Sequence, residues 1–252
     1  MRGTLTLDPE PQRVVSATAG DRTTLNEGEV HVWTAELQAD RELLDDYALS
    51  LSPSETARAS RFVFERDRRS FILCRGMLRA QLGTYLSVPR HTIEISTGPR
   101  GKPMLTGPLR KSDLRFNLSH SHGLAIFAFS RGKEVGVDAE LIRPDIEAEE
   151  IAQRYFSDDE RRELGRLKNA ERATAFFACW TRKEAYLKAR GDGLGARLDS
   201  FSVTLTPGAP VLLRSEDACR WSLYSFELRK GWATALVVEG VPNRIVLGPV
   251  GQ

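Results

Sequence analysis

The spacing of apolar and polar residues changes along the first half of the chain, from the alternation of a strand to the period of a helix. They alternate over residues 30–37, which predicts a strand. From Ser52 the spacing becomes helical, with Ser54 as the cap and an apolar face running from Phe62 towards Gly83. Short strand patterns follow near residues 93–96 and 104–105, separated by the break GPRGKP at 98–103. Residues 116–130 predict two further strands joined by a turn at 121–123.

The second half repeats this order of elements without an obvious sequence repeat. A strand pattern covers 135–140, Ser157 and Glu160 form a candidate capping box, and a long helix is predicted over 171–190. Gly191 and Gly193 end that helix, and strand patterns fill 201–246. We therefore predict an α+β protein of two similar halves. Residues 1–27 are an extension, 28–131 the first half, and 132–252 the second half, which carries the candidate metal site described below.

Composition and charge exclude several classes of protein. No apolar run approaches the ~18 residues that a membrane helix needs, and the N-terminus lacks the apolar stretch of a secretory signal. The three cysteines, Cys74, Cys179 and Cys219, are far apart, which argues against a disulfide framework and for a reducing cytoplasm. A net charge of +2 gives no support for bulk nucleic-acid binding. Locally, residues 52–79 hold seven arginines against three acids.

Two acids lie on one face of the strand predicted at 135–140. Because side chains alternate along a strand, Asp138 and Glu140 point away from the face of Val135, Val137 and Ala139. Their spacing is roughly 7 Å, and carboxylates that close repel each other unless a cation lies between them. Oxygen ligands suit a hard cation such as Mg²⁺. The alternative is a solvated strand face that happens to carry two acids.

The helix predicted at 171–190 places charged residues in its apolar stripe. At 100° per residue, Glu184 and Lys188 fall within or beside the arc of Phe177, whereas Lys183 points towards the flank. An ordinary surface ion pair has the same spacing of four residues. A carboxylate that faces inward, however, needs a partner. Glu184 is therefore a candidate third ligand for a cation held by Asp138 and Glu140.

Four basic residues are candidates to hold a phosphorylated substrate. Arginine forks and a histidine ring can donate hydrogen bonds to phosphate oxygens. The candidates are Arg58 and Arg61 on the predicted first helix, Lys102 in the GPRGKP break, and His120. Each could instead be a solvated charge or part of a simple turn. Neither a P-loop nor a GxGxxG fingerprint precedes a helix.

Taken together, the motifs resemble those of the 4′-phosphopantetheinyl transferases of the surfactin-synthetase-activating type. GVDAE at 136–140 is similar to the family's G-[IV]-D-x-E element, and WTRKEAYLK at 180–188 to its W-x-x-K-E-x-x-x-K element. GKP at 101–103, FNLSHS at 116–121 and GDGL with LDSF at 191–201 add to the resemblance, which spans about residues 50–205. It implies a pseudo-dimeric fold with coenzyme A in the cleft between the halves.

The resemblance also implies a role for individual residues. Three acids match metal ligands for Mg²⁺, with Mn²⁺ as the alternative: Asp138, Glu140 and Glu184. Coenzyme contacts are implied for Arg58, Lys102, Ser119 and His120. Lys188 matches the family's lysine near the reacting phosphate. Independently of the resemblance, Glu184 is our candidate base, acting directly or through water. Where well-known members carry a lysine, this chain has Glu55, so the adenosine 3′-phosphate would be held differently. Ala139 replaces a residue that is a metal ligand in other branches.

The expected reaction moves the phosphopantetheine arm of coenzyme A onto a serine of an apo acyl or peptidyl carrier protein and releases 3′,5′-ADP. The expected protein is a cytoplasmic monomer that binds neither nucleic acid nor membranes. The pathway is open among fatty acid, polyketide and nonribosomal peptide synthesis. Two alternatives are a carboxylate-metal nuclease or phosphatase and a non-catalytic module that binds coenzyme A or a carrier.

Overall fold

The computed structural model describes residues 14–17, 23–98, 100–193, 197–206 and 211–250. Its six helices in these ranges are α1 Arg41–Leu49, α2 Pro53–Ala59, α3 Glu65–Leu86, α4 Ala148–Tyr155, α5 Asp158–Arg166 and α6 Asn169–Arg190. Its strands in the first half are β1 Val14–Ser16, β2 Glu29–Glu36, β3 Ile95–Thr97, β4 Pro103–Leu105, β5 Leu114–Ser121 and β6 Leu124–Arg131. The remaining strands are β7 Val135–Leu141, β8 Ser202–Val203, β9 Leu213–Arg214, β10 Trp221–Ser225, β11 Trp232–Glu239 and β12 Arg244–Pro249.

Two sheets form the centre of the described chain. One has the order β1-β12-β2-β6-β5 and the other β10-β11-β7. The strands β1, β12 and β2 run parallel, and the other pairs in these sheets are antiparallel. Two short hairpins, β3-β4 and β8-β9, complete the strand pairs. The order of strands and helices confirms the predicted α+β class.

Each long helix covers the outer face of one sheet. Apolar side chains of α3 pack with those of the five-stranded sheet, and apolar side chains of α6 pack with those of the three-stranded sheet. A third apolar cluster joins β2, β6 and β12 to β7, β10 and β11, so the two sheets also pack against each other. The order of layers is helix, sheet, sheet and helix. The metal-site candidates lie on β7 and α6.

Two strands cross the predicted boundaries between the halves. β12 lies in the predicted second half, yet it pairs with β2 of the first. β1 lies in the predicted extension and pairs with β12; residues 1–13 and 18–22 of that extension lie outside the described residues. Parallel pairing between distant segments leaves no local sequence signal, which is why the pattern alone assigned them otherwise.

The helix predicted from Ser52 to Gly83 is in fact two helices, α2 and α3. Its cap is Ser52 and not Ser54: Ser52 Oγ accepts from the Glu55 amide at 3.3 Å, and Glu55 Oε2 accepts from the Ser52 amide at 3.0 Å. Pro53 at the first helical position favours this start. The structure also contains α1, which the pattern did not predict because Leu44 is its one buried residue.

Candidate active site

Helix α6 lies directly against β7 at a glycine. A Cβ atom on Gly136 would lie 2.1 Å from the carbonyl oxygen of Ala185 and 2.3 Å from the amide nitrogen of Ala189. Only glycine lets the two backbones approach so closely. Residues two and four positions along a strand share the face of the first. Asp138 and Glu140 are therefore turned towards α6.

The carboxylate of Asp138 is buried and only half satisfied. Its Oδ1 accepts from Ser119 Oγ at 2.7 Å and from Lys188 Nζ at 2.7 Å. Its Oδ2 is inaccessible to solvent and has no hydrogen-bond partner. An unpaired buried acceptor costs about 1–3 kcal/mol, so this oxygen needs a partner that folding has not supplied.

Alternate side chains of β5 bridge the gap to β7. Asn117 Oδ1 accepts from the amide of Val137 at 3.1 Å, and Ser121 Oγ donates to Glu140 Oε2 at 2.5 Å. Together with Ser119 these residues occupy every second position of one strand, so they share a face. The edge strands of the two sheets thus meet through polar side chains, and these fix the orientation of both acids.

Glu184 faces the same acids from α6. It is half-buried. Burial raises its pKa, the negative charge of Asp138 raises it further, Lys188 opposes the rise, and Glu140 adds to it. Burial likewise raises the pKa of Glu140, where the hydrogen bond from Ser121 opposes and the charge of Asp138 adds. Negative charge that raises the pKa of both Glu140 and Glu184 marks a site that favours a cation.

The fit of this site to a metal ion can be judged from its donors. Among the described residues, no three His, Cys, Asp or Glu side chains are already arranged to hold a metal ion. The donor set is nevertheless all oxygen, which suits Mg²⁺, and the unpaired Oδ2 of Asp138 is a ready ligand. Lys188 meanwhile neutralises the other oxygen. The residues present fit a hard divalent cation if Glu184 turns towards Asp138 and the Glu140 carboxylate shares or gives up its hydrogen bond with Ser121.

A basic rim borders the acids. The His120 side chain reaches the surface, yet desolvation lowers its pKa, and the positive charges of Lys188, Arg75 and Arg58 lower it further. The guanidinium groups of Arg58 and Arg75 lie 5.2 and 5.8 Å from the centre of the Phe71 ring. The charges of α2, α3, β5 and α6 therefore converge on one region. Such a cluster is suited to an anion with several phosphate groups.

Arg75 is the basic residue in this rim that sequence analysis missed. Burial lowers its pKa, against the charge of Glu55, whose Oε1 is 3.8 Å from Arg75 Nε. Its Nη1 is buried without a hydrogen-bond partner. An arginine held this way has donors left for a ligand. It could not be singled out among the seven arginines of residues 52–79, since its position depends on how α2 packs on α3.

The structure does not bring every candidate to this region. Lys102 Nζ donates to Glu134 Oε2 at 2.6 Å and to the carbonyl of Ala189 at 2.8 Å, so it closes the C-terminal end of α6. Arg61 lies beyond the end of α2 and is exposed. In the described residues, no hydrogen bond or ion pair links the side chain of either residue to the three acids. Their predicted contacts with the coenzyme remain predictions.

Glu55 has a structural role here. It caps α2 and accepts from Arg79 Nε at 2.9 Å, while Arg79 Nη1 donates to the carbonyl of Ile93 at 2.6 Å. Both side chains are almost inaccessible to solvent. Glu55 therefore anchors α2 to α3. The positive charge nearest to this position comes from Arg75 on α3.

Lys183 does not lie on the flank of its helix, as the helical wheel predicted, but is fully buried. Its Nζ is 2.8 Å from Glu160 Oε2 and donates to the carbonyls of Leu198 at 2.7 Å and Phe201 at 2.6 Å. The prediction was wrong because the segment around residues 198–203 and α5 cover the side of α6 opposite β7. No apolar periodicity within α6 reveals those neighbours.

Comparison with known proteins follows the two parts of this architecture. The model of the 4′-phosphopantetheinyl transferase superfamily matches residues 134–237, and the model of the 4′-phosphopantetheinyl transferase N-terminal region matches residues 38–131. The first match contains β7 and α6 with all three acids. The second contains α2 and α3 with the basic rim.

Relatives that match two thirds of the chain or more carry the same name. The chain is 40% identical to 4′-phosphopantetheinyl transferase HetI of Nostoc sp. over 86% of its own length and 90% of that protein. It is 31% identical to 4′-phosphopantetheinyl transferase Sfp of Bacillus subtilis over 67% of its length and 72% of that protein. A crystal structure of Thermotoga maritima holo-[acyl-carrier-protein] synthase aligns over 42% of this chain and 62% of that one, with 28% identity and a TM-score of 0.34. The chain belongs to the 4′-phosphopantetheinyl transferase superfamily and is a transferase.

Proposed function

We propose that this transferase moves the phosphopantetheine arm of coenzyme A to a serine hydroxyl of an apo acyl or peptidyl carrier protein. The observation that carries the proposal is the pairing of an incompletely satisfied acidic cluster with a basic rim. Asp138 lacks a partner for one buried oxygen, and Arg75 lacks a partner for one buried nitrogen. A divalent cation and a phosphorylated coenzyme would fill both needs. Membership of the superfamily supports the same reaction.

Asp138, Glu140 and Glu184 are the proposed ligands of Mg²⁺, or of Mn²⁺ in its place. Asp138 Oδ2 can bind without loss of the bonds that Oδ1 makes with Ser119 and Lys188. Ser121 holds Glu140 in place from β5. When bound, the metal ion would neutralise charge on the diphosphate of coenzyme A.

Glu184 and Lys188 are the proposed catalytic residues. Glu184 accepts the proton of the carrier serine, directly or through a water molecule. Burial and the charge of Asp138 raise its pKa, and a bound cation would oppose that rise. The serine oxygen forms a bond to the phosphorus that bears the pantetheine arm, while the bond from that phosphorus to the bridging oxygen breaks. Lys188, at the edge of the acids, stabilises the negative charge on the departing 3′,5′-ADP.

The basic rim is the proposed site for the phosphates of coenzyme A. Arg58, Arg75 and His120 surround one region, and Arg75 takes the place of the missing lysine at position 55. Ser119 acts indirectly here, because its hydroxyl is committed to Asp138. Lys102 and Arg61 remain candidates for more distant parts of the coenzyme.

The expected setting is a monomer in the cytoplasm that does not bind nucleic acid. The internal arrangement of two similar halves supports a monomer, since one chain brings both the acids and the basic rim to one place. No helix among the described residues is long and apolar enough to cross a membrane.

The test is the intact mass of an apo carrier protein after incubation with this protein, coenzyme A and Mg²⁺. We expect a gain of about 340 Da that disappears when EDTA removes the metal. Acyl and peptidyl carriers are both needed, because the pathway is open. No gain with any carrier, together with hydrolysis of coenzyme A or of nucleic acid, would replace the transferase with a metal-dependent hydrolase.

A further inference from the structure

The connection between α2 and α3 leaves two apolar side chains in water. Phe62 packs its ring 5.5 Å from that of Phe71 and joins the core of the first half. The next two residues do not: Val63 is 89% exposed and Phe64 65% exposed. Of these three consecutive apolar residues, only Phe62 contributes to the core. Packing in the core therefore does not explain why positions 63 and 64 are apolar.

The position of Phe64 in the backbone makes this choice more unusual. Phe64 is the N-cap of α3 and makes no side-chain hydrogen bond to the helix. Serine, threonine, aspartate or asparagine would stabilise the helix here through such a bond. Phe64 stabilises neither the start of α3 nor the core, so its side chain indicates a contact with another molecule.

Positive charge surrounds this apolar pair. Residues 58–69 contain five arginines and two acids. Both acids are already paired locally, Glu65 with Arg68 and Asp67 with Arg66. Neither Arg58 nor Arg61 forms an ion pair with any residue that the structure describes. The surface therefore offers an apolar tip within an excess of free positive charge.

This surface is continuous with the candidate active site. Phe62 contacts Phe71, and Phe71 lies under the guanidinium groups of Arg58 and Arg75. The charges of these two arginines and of Lys188 all act on the His120 ring, and Lys188 Nζ lies 2.7 Å from Asp138 Oδ1. A partner bound at residues 63 and 64 would therefore lie at the rim of the site.

We propose that Val63 and Phe64, with the arginines around them, form a docking surface for the carrier protein. The matching face of the carrier presents carboxylates beside an apolar depression, because that arrangement complements an apolar tip in a segment with five arginines and two acids. This proposal rests on the proposed function and adds to it where the protein substrate binds.

The chain offers a matched control on α1. Leu49 is 84% exposed, but its neighbours include the acids Glu42, Asp45 and Asp46. An acidic partner face would be repelled there. Leu49→Ser thus removes an equally exposed apolar side chain from a surface of the opposite charge.

The experiment is steady-state transfer to a purified apo acyl carrier protein, or to a peptidyl carrier if only that is modified. We expect Val63→Ser/Phe64→Ser to raise the KM for the carrier about tenfold, as expected for removal of the apolar centre of an interface. The KM for coenzyme A and the melting temperature should stay unchanged. Leu49→Ser should leave both KM values unchanged.

Reversal of one charge tests the docking surface independently of the apolar residues. Arg66→Glu, two residues from Phe64, should raise the KM for the carrier and weaken its dependence on salt. Arg41→Glu on α1 is its control, since Arg41 is equally exposed and also lies beside an acid.

The outcomes separate this proposal from the one on which it rests. If transfer proceeds and the double variant keeps the KM for the carrier, or raises the KM for coenzyme A instead, the docking surface is refuted and the transferase function stands. If the unaltered protein modifies no carrier, the proposed function fails and the docking surface fails with it.

Discussion

Helix α6 carries two lysines that each meet a buried acid, five residues apart, and the two pairs differ in one respect. Lys183 and Glu160 are both almost inaccessible to solvent. Lys188 is 27% exposed, whereas its partner Asp138 is buried. Both are close ion pairs. They differ in whether the acid and the lysine have hydrogen-bonding atoms left without a partner.

The Lys183–Glu160 pair is complete. Glu160 accepts from the amide of Ser157 at 2.8 Å, from the amide of Val203 at 2.8 Å, and from Lys183. Lys183 gives its other protons to the carbonyls of Leu198 and Phe201. This network ties α5, α6 and β8 together and has no capacity left for a ligand.

The Lys188–Asp138 pair is incomplete, because Asp138 Oδ2 has no partner and Lys188 reaches solvent. Two arginines one turn apart on α3 show the same contrast. Arg79 bonds Glu55 and the carbonyl of Ile93, and its Nη2, which makes no well-aligned hydrogen bond, still lies 2.7 Å from Glu55 Oε2 in an ion pair. The buried Nη1 of Arg75 has neither kind of partner among the described residues. In both places the satisfied group holds the fold and its unsatisfied neighbour points to a ligand.

The largest effect expected from this contrast is the loss of transfer in Asp138→Asn. Asparagine still accepts the hydrogen bond from Ser119 but removes the charge that binds the cation, so we expect transfer to fall at least about a thousandfold. The rate of mass gain by the carrier measures the effect. The melting temperature without metal should stay close to that of the unaltered protein. Activity within tenfold of normal would mean that Asp138 is structural, like Glu160.

The second effect is on stability and belongs to the other pair. Lys183→Met leaves Glu160 charged and buried, so the free energy of unfolding should fall by about 3–5 kcal/mol. Urea denaturation measures it. Lys183→Met/Glu160→Gln should recover part of the loss, since no charge is then left buried. Lys188→Met is the matched control: water can reach its position, and its cost in stability should be less than half as large. Equal costs would remove the distinction between the pairs.

Sequence analysis predicted the unsatisfied pair better than the satisfied one. Alternation placed Asp138 and Glu140 on one face of a strand, and helical spacing turned Glu184 and Lys188 inward, because both rules act within a single element. The structure brings these four residues together. The presence of polar residues on inward faces was the signal, and it required no knowledge of neighbouring elements.

Lys183, Arg75 and Glu55 could not be predicted in this way. Their environments depend on which elements pack against α6 and α3, and these contacts join segments far apart in the chain. The same holds for β12, whose pairing with β2 crosses the predicted boundary. One signal was available but unused: Asn117, Ser119 and Ser121 alternate along β5, which predicts a polar face towards β7.

A smaller effect tests the contrast on α3. Arg75→Met keeps the apolar contact with Phe71 but removes the unpaired donor, so the KM for coenzyme A should rise about tenfold, as for loss of one hydrogen bond to a charged group. The melting temperature should change little. In Arg79→Met the pattern should reverse, with a large fall in melting temperature. If Arg75→Met keeps the normal KM for coenzyme A, the Nη1 atom of Arg75 does not bind the coenzyme.

The smallest effect is on thiol reactivity, which reports whether the Lys183–Glu160 pair opens. Burial raises the pKa of Cys179 well above its ordinary value, and the charge of Glu160 raises it further, against Lys183. Burial raises the pKa of Cys74 to about 12. At pH 8, an alkylating reagent should therefore modify only the exposed Cys219 at once, with the mass of the protein as the readout.

In Lys183→Met, the reactivity of Cys179 can change for two reasons: a shift in its pKa or local opening of the structure. The direction of the change distinguishes them. In a closed structure, loss of the lysine removes a positive charge that lowers the pKa of Cys179, so the thiol would become less reactive. Faster modification of Cys179 in this variant can therefore come only from opening of the region between α5 and α6. We expect that acceleration in Lys183→Met and none in Asp138→Asn, because the acid on β7 does not hold α5 in place. Equal acceleration in both variants would show that the two pairs stabilise one cooperative unit.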